Sequence, residues 1–357
     1  MAASRGGRRP MAVGHVWRGL GIVAWLLVPL ACSPAAGSPA PTAPPAAATT
    51  APSPTDELAT LVELELNVNG GPDFPVAAFG SLWLLRPDQN EPSIARFDVQ
   101  TGAIVADIPV RNRLCQATGA SPDAIWACSL NGLLRINPAT NQPSGEVTAA
   151  IGQYYGQLPF GAGSLWALGG EITATNILLR VDPKKMVVAA SIPLGFNGGA
   201  LAFDFDFDFD AVWITAPNEG KLVRFDPATG RLTDHLTGLE APGSVTTGFG
   251  SLWVGLYDSR DKTPPAGAPT VARGDPATGK IEALIAVGSV PLGACIHAGT
   301  AGVWVRSPDP FLALIDPSTN KVVRNVRSTQ GAGCVIEING RLWVTSSDFG
   351  TVWRLAP

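Results

Sequence analysis

The chain has 357 residues, a charged fraction of only 15%, 40 Gly and 32 Pro. That balance argues against long helices or a coiled coil and for many short strands joined by tight turns. Four arginines in residues 1–31 face no acid there, so the remainder carries 21 basic against 29 acidic residues, a net −8, and an acidic surface argues against nucleic acid as a partner.

The chain opens with an address. Arg5, Arg8, Arg9 and Arg18 form a basic region, and residues 19–30 (GLGIVAWLLVPL) an apolar core of secretory length, too short to span a bilayer comfortably. Leu30-Ala31-Cys32-Ser33 then resembles a bacterial lipoprotein box with Cys32 as the lipidated residue, although Pro29 stands where such boxes usually have Leu. Residues 1–31 are therefore expected to be a lipoprotein-type signal peptide. Residues 32–55 form a Pro/Ala-rich tether that cannot bury a core and should be extended. The predicted location is outside the cell membrane, held there by lipid.

Residues 56–357 are periodic. A Gly turn and an aromatic-centred strand recur at Trp83, Trp126, Trp166, Trp213, Trp253, Trp304 and Trp343, spaced by 43, 40, 47, 40, 51 and 39 residues. That is the period of a four-stranded propeller blade. Each of the first six units continues into a second element, for example Arg96-Phe97-Asp98 and Arg224-Phe225-Asp226-Pro227-Ala228-Thr229-Gly230. The Asp accepts from turn amides, Pro presets φ, and Gly or Asn tolerates positive φ before the next strand. The Arg before this turn is expected to pair with turn carboxylates. The last unit stops at Leu355, one strand short, and residues 61–68 (LVELELNV) form a strand with no unit of its own. The prediction is an all-β, seven-bladed β-propeller whose N-terminal strand closes the last blade and removes an exposed edge.

These units resemble those of YVTN-type and streptogramin lyase-like (virginiamycin B lyase-like) propellers, which share the Gly-Ser-Leu-Trp strand and the Asp-Pro-Ala-Thr-Gly turn. The likeness covers residues 60–357 and is specific for fold. For the lyase members it implies His and Glu side chains around magnesium at the channel mouth. Here His15 lies in the signal and His235 on an outer strand, leaving His297 on an inner strand with Glu337 in the next unit. One His and one Glu do not make that site. No catalytic residue, metal site or cofactor is assigned.

Strand alternation puts the Gly-Ser and Asp-Pro turns on one face of the disc and the irregular connections on the other. Irregular loops on a rigid scaffold are where binding usually sits. The candidate binding residues are Arg113, Tyr155, Asn197, Asp258, Arg260, His297, Arg306 and Asp348. The alternating run 203–210 (FDFDFDFD) reads as slippage of a two-residue repeat that lengthens one turn.

Four cysteines follow Cys32, and three pairings are possible. With Ser121-Pro122 as a two-residue turn, Cys115 and Cys128 face each other on adjacent strands. Cys295 and Cys334 each lie nine residues before their Trp, at one height on neighbouring inner strands. Free buried thiols are the alternative. The function expected is that of a membrane-tethered monomer, a non-catalytic module binding a small ligand or an envelope protein. The alternatives are an extracytoplasmic lyase or hydrolase working at the channel mouth, and a purely structural envelope role.

Overall fold

Each Trp-centred segment becomes the second strand of an antiparallel sheet, as in Asp73–Ala78, Ser81–Arg86, Ser93–Asp98 and Ile104–Pro109 of the first blade. The computed structural model describes residues 54–356 apart from 88–89, 112, 154, 172–173, 204–209, 258–266, 289–294 and 308. Within them seven such sheets follow one another, and the first strands of neighbouring blades touch round the ring. This is the seven-bladed propeller that the repeat predicts. Among the described residues no helix is long and apolar enough to cross a membrane.

The core lies between blades. Seven apolar clusters each join two adjacent blades, and the seven repeat tryptophans sit within or beside them at no more than 3% exposure. A blade alone would leave both faces wet, so the ring is the smallest unit that buries them.

The last blade is completed as predicted, by Val62–Asn67 pairing antiparallel with Thr351–Leu355. The sequence reading missed the segment before it. Thr55–Glu57 runs parallel along the outer strand of the sixth blade, with Asp56 paired to Arg324 at 2.7 Å, and one helical turn, Leu58–Leu61, carries the chain across to the seventh. Leu58 is buried in the interface between those two blades. The N-terminal segment thus ties two blades rather than one.

The Asp turns form as expected. Asp98 Oδ1 accepts from the amides of Gln100 and Thr101, and Asp226 and Asp275 repeat the pattern, which holds these carboxylates below their usual range. The preceding arginines meet the expectation in part: Arg224 reaches Asp226 of its own turn at 3.9 Å. Arg135 does pair with Asp123 at 2.9 Å. Arg96 instead donates to Pro138 O at 2.7 Å and Asn141 Oδ1 at 2.8 Å, in the next blade's turn. Arg273 reaches Pro317 O and Asn320 in the same way, and Arg354 reaches Val99 O and Gln100 O across the closing seam. Each of these three lies over its own blade's Trp ring, 4.8–5.8 Å from the centroid. A guanidinium has donors to spare after stacking on an indole, and the neighbouring turn supplies bare carbonyls.

The cysteines lie in the predicted pairs at disulfide distance. Cα atoms are 5.4 Å apart for Cys115 and Cys128 and 4.9 Å apart for Cys295 and Cys334. The turn beside the first pair is not the one assumed, because Ser121 pairs with Ala124 and leaves Pro122-Asp123 at the tip. An irregularity between Leu114 and Thr118 shifts the register by two and brings the cysteines opposite again.

Candidate functional site

The inner strands enclose a central cavity of about 710 Å³. Its lining runs from mid-strand to the ends that carry the Gly-Ser turns and includes the turn residues Phe249 and Thr300. A second pocket of about 80 Å³ lies at the opposite strand ends, against Phe74, Tyr155 and Ser244, and shares Gln157, Val245 and Ile296 with the first. The channel is therefore wide on the turn face and narrow on the linker face.

One linker causes the narrowing. Tyr155–Gln157 adds a short parallel strand to the channel side of the second blade, opposite Gln116–Thr118. Gly156 takes φ +105° there, a conformation that favours glycine. The Tyr155 ring lies 6.1 Å from that of Phe74, and Thr118 Oγ1 donates to Phe74 O.

The wide end has two unlike walls. Phe160, Phe203 and Phe249 come from the third, fourth and fifth blades in succession. Gly161 makes room for this wall, since a Cβ there would strike the Phe203 ring. Facing them are His297 and Thr300 of the sixth blade and Glu337 of the seventh. Thr300 fixes the carboxylate, its amide donating to Oε2 at 2.8 Å and its hydroxyl to Oε1 at 2.6 Å. A Cβ at Gly299 would land on Glu337 Oε2, so that glycine is part of the seat. Burial holds His297 below the ordinary imidazole range, against the smaller opposing pull of Glu337.

The structure scatters the residues singled out from sequence. Cys32, Asp258, Arg260 and residues 204–209 of the Phe-Asp run lie outside the described residues. Arg113 is exposed and Asn197 half-buried, and neither lines the cavity. Tyr155 belongs to the narrow end, and His297 to the wide one. Asp348 is exposed and accepts from the Ala332 amide at 2.8 Å.

Arg306 is not a surface residue: it is 1% exposed. Its guanidinium stacks 3.7 Å from the Phe311 centroid and donates to Ser307 O at 2.7 Å, Phe311 O at 3.1 Å and Gly331 O at 2.6 Å. Burial pushes it down to about 9, against the pull of the Asp73 and Asp348 charges. Asp73, half-buried at the start of the first blade, is pushed up to about 6 by the same loss of water. Arg306 thus holds linkers together on the face where it was expected to hold a ligand. Only its position before an irregular loop was legible, and burial was not.

Magnesium takes near-octahedral oxygen ligands, and the residues present do not fit it. Glu337 is the one carboxylate among the described residues that line the cavity. Among the described residues no group of three His, Cys, Asp or Glu side chains converges. Sequence reasoning missed the aromatic wall, although the shared Phe-Gly-Ser-Leu-Trp of residues 79–83 and 249–253 marked two turns with a bulky residue where Asn or Gly would serve better.

No family model and no curated protein matches the chain. Solved propellers do. A virginiamycin B lyase from Staphylococcus aureus superposes with a TM-score of 0.64 at 16% identity, over 82% of this chain and 98% of that one. A streptogramin B lyase gives 0.60 at 15% identity, over 82% and 96%. The WD40 propeller domain of Doa1 gives 0.61 at 11% identity, over 83% and 96%. At these identities the likeness speaks to fold alone, and the neighbours range from lyases to a WD40 domain.

Proposed function

We propose that this chain is an exported, lipid-tethered propeller that binds a small ligand in the wide end of its channel without transforming it. The observation that carries the reading is the unlike pair of walls: three phenylalanines from consecutive blades opposite a carboxylate seated by Thr300. A cavity of this size, with an aromatic wall and a placed carboxylate, has the character of a small-molecule site. Binding is favoured over catalysis because, among the described lining residues, His297 and Glu337 face a wall with no further proton-transfer group. The basic-apolar leader, Cys32 and the 23 residues of 33–55, which span about 70 Å when extended, support the tether. Two cysteine pairs at disulfide distance favour an oxidising compartment.

The test is to isolate the full chain from the membranes of producing cells and identify co-purifying small molecules by native mass spectrometry. A bound species that Phe249→Ala loses, together with release of Cys32→Ser protein from the membrane, supports both halves of the reading. A bound species that the enzyme-free control leaves intact but this chain cleaves would favour the lyase or hydrolase alternative.

A further inference from the structure

Among the described residues that line the wide end, only His297 and Glu337 can ionise, and there is no Lys or Arg. Burial holds the imidazole below its ordinary range and so disfavours its charged form. Glu337 makes no ion pair among the described residues, and its fixed partners, the amide and hydroxyl of Thr300, are neutral. Among the described lining residues the cavity therefore carries one carboxylate without a cationic partner on one side and, on the other, the exposed Phe249 beside the half-buried Phe160 and the buried Phe203. Charge in a partly desolvated cavity is costly unless a counter-charge arrives.

A second observation concerns Phe249. It occupies the first position of its turn at φ +54°, a left-handed conformation that strains a bulky side chain, and leaves its ring 42% exposed beside the cavity. The seventh blade has Asn339 in the equivalent place at φ +52°, the residue such a turn prefers. Phe79 shows the same strain and exposure, at φ +53° and 38%, so what sets Phe249 apart is its place in the cavity lining. Phe79 holds the equivalent turn position in the first blade but lies outside the cavity lining, which makes it an internal control.

Resting on the channel-binding reading above, we infer that the ligand is a monovalent organic cation carrying an aromatic or aliphatic group. Its apolar part lies against Phe160, Phe203 and Phe249. Its ammonium group is oriented by Glu337, whose carboxylate retains lone pairs beyond those given to Thr300. The phenylalanine faces add cation–π attraction on approach.

Three probes of similar shape separate charge from contact: phenethylammonium, neutral 2-phenylethanol and anionic 3-phenylpropionate. Affinities are measured by ligand-observed NMR titration on the full chain. The cation should bind about tenfold more tightly than the alcohol, and the anion most weakly. Glu337→Gln, which keeps an acceptor for Thr300, should bring the cation down to the alcohol's affinity and leave the alcohol unchanged. Phe249→Ala should weaken all three, while Phe79→Ala weakens none. If the three bind equally and Phe249→Ala weakens them all, the cation assignment falls and the channel reading stands. If none binds, or binding ignores Phe249→Ala, both fall.

Discussion

The turn face and the linker face of this disc are built from the same strands and do opposite work. On the turn face, the described Gly-Ser and Asp turns are short and leave the channel open to about 710 Å³. On the linker face the irregular connections turn inward. One adds Tyr155–Gln157 to the channel wall, and another closes over Arg306. Irregular loops therefore need not mark a binding surface. Among the described residues, one of them fills the narrow end and another packs round Arg306, while regular turns frame the opening.

If that division is right, substitutions on the linker face should change stability, and those on the turn face should change binding. The largest effect is expected at Arg306. Arg306→Ala removes the guanidinium's bonds to Ser307 O, Phe311 O and Gly331 O and the positive charge that acts on Asp73, so unfolding free energy should fall by about 3 kcal/mol with probe affinity unchanged in the folded protein. Denaturant titration of both proteins checks it, and an undisturbed midpoint would remove Arg306 from the seam.

Asp73 should make that seam sensitive to pH. Burial pushes it from the ordinary carboxyl value of 3.8 up to about 6, so its favourable contribution is complete below pH 3.8 and is lost as pH rises through 6. His297 and His235, both held low by burial, act in the opposite direction below pH 6.5. The difference between wild type and Asp73→Asn isolates the carboxyl. Wild type should lose about 1–2 kcal/mol relative to the variant between pH 4 and 7, a figure discounted for partial exposure. Equal melting curves for the two proteins across that range would contradict it.

Tyr155→Ala sharpens the contrast between the two ends. It removes the ring stacked on Phe74 and should cost about 1 kcal/mol in thermal unfolding while leaving phenethylammonium affinity as it was. Phe249→Asn should have the smallest effect on stability and the reverse sign. Relief of its left-handed strain should stabilise the ring by about 0.5–1 kcal/mol, with ligand affinity lost. A destabilised variant would mean that the ring is a packing residue.

Much of the fold was legible because the repeat is written twice in each unit, once at Trp and once at Asp. The closing strand followed from arithmetic on blades: Leu355 ends a sheet one strand short, and Val62–Asn67 fills it. The cysteine pairs were legible from register, although for Cys115 the turn assumed was displaced and the irregularity before Thr118 made up the difference. The channel walls were harder to see. Phe160, Phe203 and Phe249 do not share one repeat position and meet only when consecutive blades are placed side by side. Glu337 gives no sign in sequence that Thr300, on the preceding blade, will hold it. Arg306 stands before a loop and so looks exposed in sequence; its burial against Phe311 and Gly331 appears only in the fold.

Hydrogen–deuterium exchange of the full chain with and without phenethylammonium tests most directly whether ligand sits in the wide, turn-face end. Protection should appear in residues 245–249, 296–300 and 336–337, which line that end. Segments 110–113 and 346–349 should be unchanged. Protection confined to 155–157 and 346–349 would place the ligand on the linker face and contradict the account.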